Sequence, residues 1–107
     1  MNNYKSLNIY SEDIQNSSLV GSIKDNTSSI PAPNKDKILE YLKNGEKIAA
    51  YVGIAKDVFT GESIPEEWLL YTDGVYRWNT RTIYHYEKYN LVLLDEFVEY
   101  VTKKLGL

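Results

Sequence analysis

Trp68-Leu-Leu-Tyr-Thr-Asp-Gly-Val-Tyr-Arg-Trp78 is the stretch on which the fold turns. Two runs of aromatic and apolar residues, 68–72 and 75–78, flank the dipeptide Asp73-Gly74. A two-residue Asp-Gly turn reaches positive φ at low cost and matches the twist of paired strands, so the stretch predicts a β-hairpin. Upstream lies a longer apolar run, Lys47 to Phe59, with Ile48, Ala49, Ala50, Tyr51, Val52, Ile54, Val58 and Phe59 interrupted by Gly53. Continuous β-branched and small apolar residues fit a central strand buried on both faces. Asp57 and Thr60-Gly61-Glu62-Ser63 end that strand, and Pro65-Glu66-Glu67 leads into the hairpin.

Helices bracket this expected three-stranded meander. Before it, Asn34 follows a proline and can cap a helix whose Ile38, Leu39, Tyr41 and Leu42 make one apolar stripe. Asn44-Gly45 supplies a left-handed C-cap, with Lys43 near the negative end of the dipole. After the meander, Asn79-Thr80 caps a helix running to Asn90, with Tyr86 on its inward side. A last helix from Leu94 or Asp95 to Lys104 turns Phe97, Val98 and Val101 inward. The expected fold is α+β: a small antiparallel sheet, a meander of three to four strands, packed against two to three helices.

Composition divides the chain near Pro31. Residues 1–33 hold seven serines and five asparagines but only two aromatics, while the other twelve aromatics lie between Tyr41 and Tyr100. Residues 34–107 are therefore expected to form a single α+β domain. Residues 1–33 read as a poorly ordered or edge-strand segment, with Leu19-Val-Gly-Ser-Ile23 as its one strand candidate.

The counts exclude several chemistries. The 107 residues include no cysteine and one histidine, which removes zinc ribbons, iron–sulfur clusters, thiol catalysis, disulfide frameworks and His-rich metal sites. Gly53, Gly61 and Gly74 are isolated, so no phosphate-cradling loop is present. His85 lacks a recognisable nucleophile signature and reads as a surface or half-buried helical residue. Asp73, Asp95 and Glu66-Glu67 are explained by a turn, a helix start and a loop. Neither a cofactor nor a metal is expected. The net charge is −3. Arg77, Arg81 and Lys88 are interleaved with Asp73, Glu87 and Asp95, so the field is near neutral and no nucleic-acid partner is expected. The N-terminal decapeptide lacks the basic-then-apolar order of a secretory signal. The apolar stretches 48–55 and 91–94 fall far short of the roughly 20 residues of a membrane span, so a cytoplasmic location is expected.

The ten tyrosines are the unusual feature. Those at 71, 76, 84, 86, 89 and 100, with Trp78, sit on alternating strands and adjacent helices and cannot all enter one core. Tyrosine and tryptophan bury large areas at little rotamer entropy while keeping a polar group bonded, which suits protein contacts. The expected contact surface joins the hairpin to the next helix through Tyr76, Arg77, Trp78, Arg81, Tyr84 and His85. Tyr84 and the exposed one of Tyr76 and Trp78 would be anchors, and the arginines would meet partner carboxylates.

Ile38-Leu-Glu-Tyr-Leu-Lys-Asn-Gly45, Asp73-Gly-Val-Tyr-Arg-Trp78, Tyr84-His-Tyr-Glu-Lys-Tyr89 and Leu94-Asp-Glu-Phe97 together resemble a group of short stand-alone bacterial proteins. Asn79 and Leu94 depart from it, standing where such sequences often carry proline, which leaves the starts of the two helices less defined. Proteins of this sort resemble the immunity-type proteins of toxin systems. That resemblance implies a non-catalytic cytoplasmic protein, immunity-like or regulatory, that masks another protein, for instance a toxin, by stoichiometric binding; the chain itself would be a monomer or, through an edge strand or the same aromatic patch, a homodimer. The alternative is a small-ligand module or enzyme in which tyrosine hydroxyls and His85 converge on a pocket.

Overall fold

A computed structural model describes residues 4–7, 10 and 21–107. In it β1 (Lys5–Ser6), α1 (Lys35–Lys43), β2 (Glu46–Ala50), β3 (Leu69–Thr72), β4 (Tyr76–Asn79), α2 (Thr80–Tyr89) and α3 (Asp95–Lys104) follow in order. The four strands form one sheet, β1-β4-β3-β2. The fold is α+β, as the sequence predicts, with one difference in the sheet. β2, β3 and β4 form the antiparallel meander, but β1 joins the free edge of β4 in parallel, so the sheet is mixed.

The hairpin forms with Tyr71 opposite Trp78 and Thr72 opposite Arg77. Beyond that pair the Asp73 amide donates to the Tyr76 carbonyl at 3.3 Å, so the tip is Gly74-Val75, one residue later than the expected Asp73-Gly74, and only Gly74 takes positive φ, at +98°. Asp73 organises it: Oδ1 accepts the amides of Val75 at 2.9 Å and Tyr76 at 2.7 Å. Its other oxygen accepts the Tyr41 hydroxyl, which ties the turn to α1. Alternation along β4 sends Tyr76 and Trp78 to the helix-covered face and Arg77 to the other. Trp78 is fully buried, packs near Phe97 and Tyr41, and donates its indole N–H to the Leu42 carbonyl at 3.0 Å.

Three sequence expectations change. The strand expected over 47–59 is an edge strand of five residues, all exposed, followed by a turn and a loop. Its β-branched content suits a strand, but burial is decided by sheet order, and β2 lies outermost. Asn34 does begin α1, yet it sits in the left-handed region at φ 60° and makes no side-chain cap. Gly45 is not a left-handed cap either: a Cβ there would stand 2.7 Å from Trp78 Cζ2 and 3.2 Å from Tyr71 Cβ. The glycine is needed for close approach of the α1–β2 connection to the indole.

The two later helices match their sequence signals. Asn79 Oδ1 accepts the Thr82 amide at 2.9 Å, and Asn90 closes α2 in the left-handed region at φ 56°. α3 buries Phe97 and Val101, with Val98 partly covered. In the N-terminal third, Leu7, Tyr10 and Ile23 are buried in the core. Of the strand candidate at 19–23, Leu19 and Val20 lie outside the described residues, and 21–23 are irregular.

Candidate functional site

The segment between β2 and β3 folds back on α2. Asp57 is the centre of this contact, and its side chain is wholly buried. Oδ1 accepts the amides of Phe59 at 2.7 Å and Thr60 at 3.1 Å, an Asx-type turn that a short carboxylate makes locally. Oδ2 accepts the hydroxyls of Tyr84 at 2.8 Å and Tyr89 at 2.5 Å, with the Lys88 ammonium 3.7 Å away. These three residues and His85 occupy positions i, i+1, i+4 and i+5 of α2, which helical periodicity gathers on one side. Burial alone would raise the Asp57 pKa. The bonds from Tyr89, Phe59, Tyr84 and Thr60 outweigh it and hold the carboxyl below the usual carboxylate range.

His85 makes the second attachment. Its Nε2 accepts the Val58 amide at 3.1 Å, so Nδ1 carries the proton and donates to the Arg81 carbonyl at 2.8 Å. The ring is fully buried and stacks near Tyr89, which Phe59 also meets at 4.5 Å between centroids. A buried aspartate beside a buried histidine has the composition of an acid–base pair. Here both imidazole nitrogens and both carboxylate oxygens are engaged by the protein, and the arrangement staples loop to helix.

The stapled segment presents a protruding apolar turn. It is held at one end by the Tyr51 amide on the Trp68 carbonyl, 2.8 Å, and at the other by the Ile64 amide on the Ala55 carbonyl, 2.9 Å. Between these anchors Val52 is fully exposed and Ile54 is 66% exposed. Ile48 and Phe59 on either side also reach solvent. Tyr51 stacks on Trp68 at 4.3 Å, and the Arg81 guanidinium lies 5.0 Å from the same indole, a column of tyrosine, tryptophan and arginine beside the turn. β2 itself is irregular: pairing slips between Lys47 and Ala49. Such a bulge blunts a sheet edge against strand addition, so a partner would engage side chains here.

The six residues expected to form one contact surface do not come together. Tyr76 and Trp78 are core residues, because β4 turns both toward the helices. His85 is buried, because the loop over α2 covers it, and is no surface residue. Arg77 is exposed on the opposite face of β4. Tyr84 is half-buried and committed to Asp57, and Arg81 joins the column on Trp68. In the alternative reading His85 would face a ligand with tyrosine hydroxyls; in the structure both of its ring nitrogens are bonded within the protein. Sequence reasoning missed Tyr51, Val52, Ile54 and Trp68 as surface residues and Asp57 as a buried centre. The Asp57-Val-Phe-Thr-Gly61 string carried a turn signal, but nothing local indicated its tyrosine partners.

Among the described residues, no group of three His, Cys, Asp or Glu side chains is placed to hold a metal ion. No helix among them is long and apolar enough to cross a membrane. No protein-family model, curated protein or solved structure matches the chain.

Proposed function

We propose that this chain is a non-catalytic protein-binding protein of a bacterial cytoplasm, immunity-like or regulatory, that masks a partner protein by stoichiometric contact. The observation that carries the reading is the apolar turn Val52–Ile54, projecting from a stapled base and flanked by Ile48, Phe59 and the Tyr51–Trp68–Arg81 column. Large apolar side chains held in solvent by a hydrogen-bonded frame carry a solvation penalty that a partner surface removes. Tyrosine, tryptophan and arginine are the residue types that dominate binding energy at protein contacts. The engaged state of Asp57 and His85 supports the non-catalytic part, since neither offers a free lone pair or proton to a substrate.

The contact replaces the one expected from sequence and keeps only Arg81 of that set. The Arg81 guanidinium, 5.0 Å from the Trp68 ring, is placed to meet a partner carboxylate at the rim. The double variant Val52→Asp, Ile54→Asp tests the reading. Both side chains are exposed, so thermal stability is expected to move by no more than about 0.5 kcal/mol. A tagged wild-type chain recovered from its own cells is expected to carry one equimolar second protein that rebinds after separate purification, and the double variant is expected to lose it at least tenfold. Undiminished recovery with the double variant would sink the proposed contact. If light scattering shows the isolated chain to be a dimer that the variant dissociates, a second copy takes the partner's place.

A further inference from the structure

A cavity of about 360 Å³ lies between the segment 28–33, the end of α2 and the start of α3, sharing no residue with the apolar turn. Its wall is mostly apolar: Ile38, Leu91, Leu93 and Val98 form the inner part, and the exposed Ile30 and Val92 stand at the rim. Tyr86 completes the wall. It is 97% buried, and its hydroxyl has no hydrogen-bond partner. The buried Tyr10 hydroxyl, by contrast, donates to the Val92 carbonyl. A hydroxyl removed from water and left unpaired is destabilising by the desolvation it has not recovered.

We propose that this cavity binds a small neutral molecule, largely apolar, with one hydrogen-bond acceptor that takes the Tyr86 hydroxyl proton. The volume is at the lower end of ligand pockets and has room for roughly a dozen non-hydrogen atoms. A charged ligand group is disfavoured: a protonated amine cannot accept the Tyr86 hydroxyl proton, and the surroundings oppose a negative charge. Asp95 is in the wall and Asp36 is close enough to act on Tyr86, which disfavours an anion. The Lys35 ammonium, 5.9 Å from the Tyr86 ring, is engaged by Asn90 Oδ1 at 2.6 Å and the Glu87 carbonyl at 2.8 Å. Burial, with Asp36 second, pushes the Tyr86 pKa up to about 12, so the hydroxyl remains a donor at neutral pH.

The test uses benzylacetone, a neutral ketone of suitable size, and n-butylbenzene, which lacks the carbonyl oxygen. With the wild-type chain, both are expected to give saturable shifts of the Ile38, Leu91 and Leu93 methyl resonances. In Tyr86→Phe the ratio of ketone to hydrocarbon affinity is expected to fall about fivefold, the net worth of one hydrogen bond. The variant removes an unpaired group and keeps the ring, so its fold is expected to survive. Ala32→Trp, placed at the exposed rim, supplies a second variant and is expected to abolish both sets of shifts. Absence of saturable shifts in the wild type overturns the proposal. So does an affinity ratio unchanged by Tyr86→Phe, or binding that persists undiminished in Ala32→Trp. None of these outcomes bears on the apolar turn.

Discussion

Replacing Asp57 with alanine is expected to lower stability by about 3 kcal/mol, because a buried, hydrogen-bonded charge is removed and its partners are left behind. Two tyrosine hydroxyls and two backbone amides lose their acceptor at once, and the Lys88 ammonium loses its counter-charge. In a domain of this size that corresponds to a fall in melting temperature on the order of 10–20 °C. Asp57→Asn keeps an acceptor for the Phe59 and Thr60 amides and is expected to fall between. The same carboxylate governs acid behaviour. Its folded pKa lies below the unfolded value of about 3.9, so its contribution is fully present above that pH and is lost as pH falls toward the folded value. Thermal scans of wild type and Asp57→Asn between about pH 5 and 2 are expected to converge. Parallel curves would contradict the assignment of the ionised carboxylate as the staple's centre.

Trp78→Ala is expected to be at least as damaging, at about 3–5 kcal/mol, the range for deleting a large buried aromatic. The indole is fully buried near Phe97 and Tyr41 and satisfies the Leu42 carbonyl, so the substitution leaves both a cavity and an unpaired acceptor. Total stabilities of small domains are commonly about 5–15 kcal/mol, so the substitution is expected to remove a large share of the total and to move the denaturation midpoint well below that of wild type. Chemical denaturation measures it directly. A variant that stays folded within about 1 kcal/mol of wild type would return Trp78 to the surface role that its position in a tyrosine-rich segment suggests. Gly45→Ala would set a Cβ 2.7 Å from the same indole and is expected to cost about 1–3 kcal/mol by overpacking.

What could be read from sequence was local, and what could not depended on distant pairing. The Asp73-Gly74 turn, the Asn79 cap and the Phe97–Val101 stripe are each specified within a few residues, and each appears in the structure, the turn with its tip one residue later. Ile48 to Phe59 misled because an apolar run rich in β-branched residues is compatible with either a buried or an edge strand. Only the order β1-β4-β3-β2 exposes it, and that order depends on which strands pair. His85 misled for the opposite reason: helical position alone left it at the surface, whereas a loop about 27 residues earlier in the chain closes over it. The exposed apolar turn and the buried polar staple are two sides of one segment. A run whose hydrophobicity the core does not use is where sequence pattern and fold disagree, and such disagreement marks functional surfaces more often than errors of design.

The proposed protein-binding surface is the apolar turn 52–54 with its exposed neighbours Ile48, Tyr51 and Phe59. A photoreactive benzophenone side chain introduced at Val52, and separately at the exposed Arg77 and Glu99 as controls, tests it in living cells of the source. One dominant heterologous adduct is expected at Val52, of a mass corresponding to one partner per chain, and little or none at the two controls. Equal adducts at all three positions, or none at Val52 while a control position captures a partner, would contradict it.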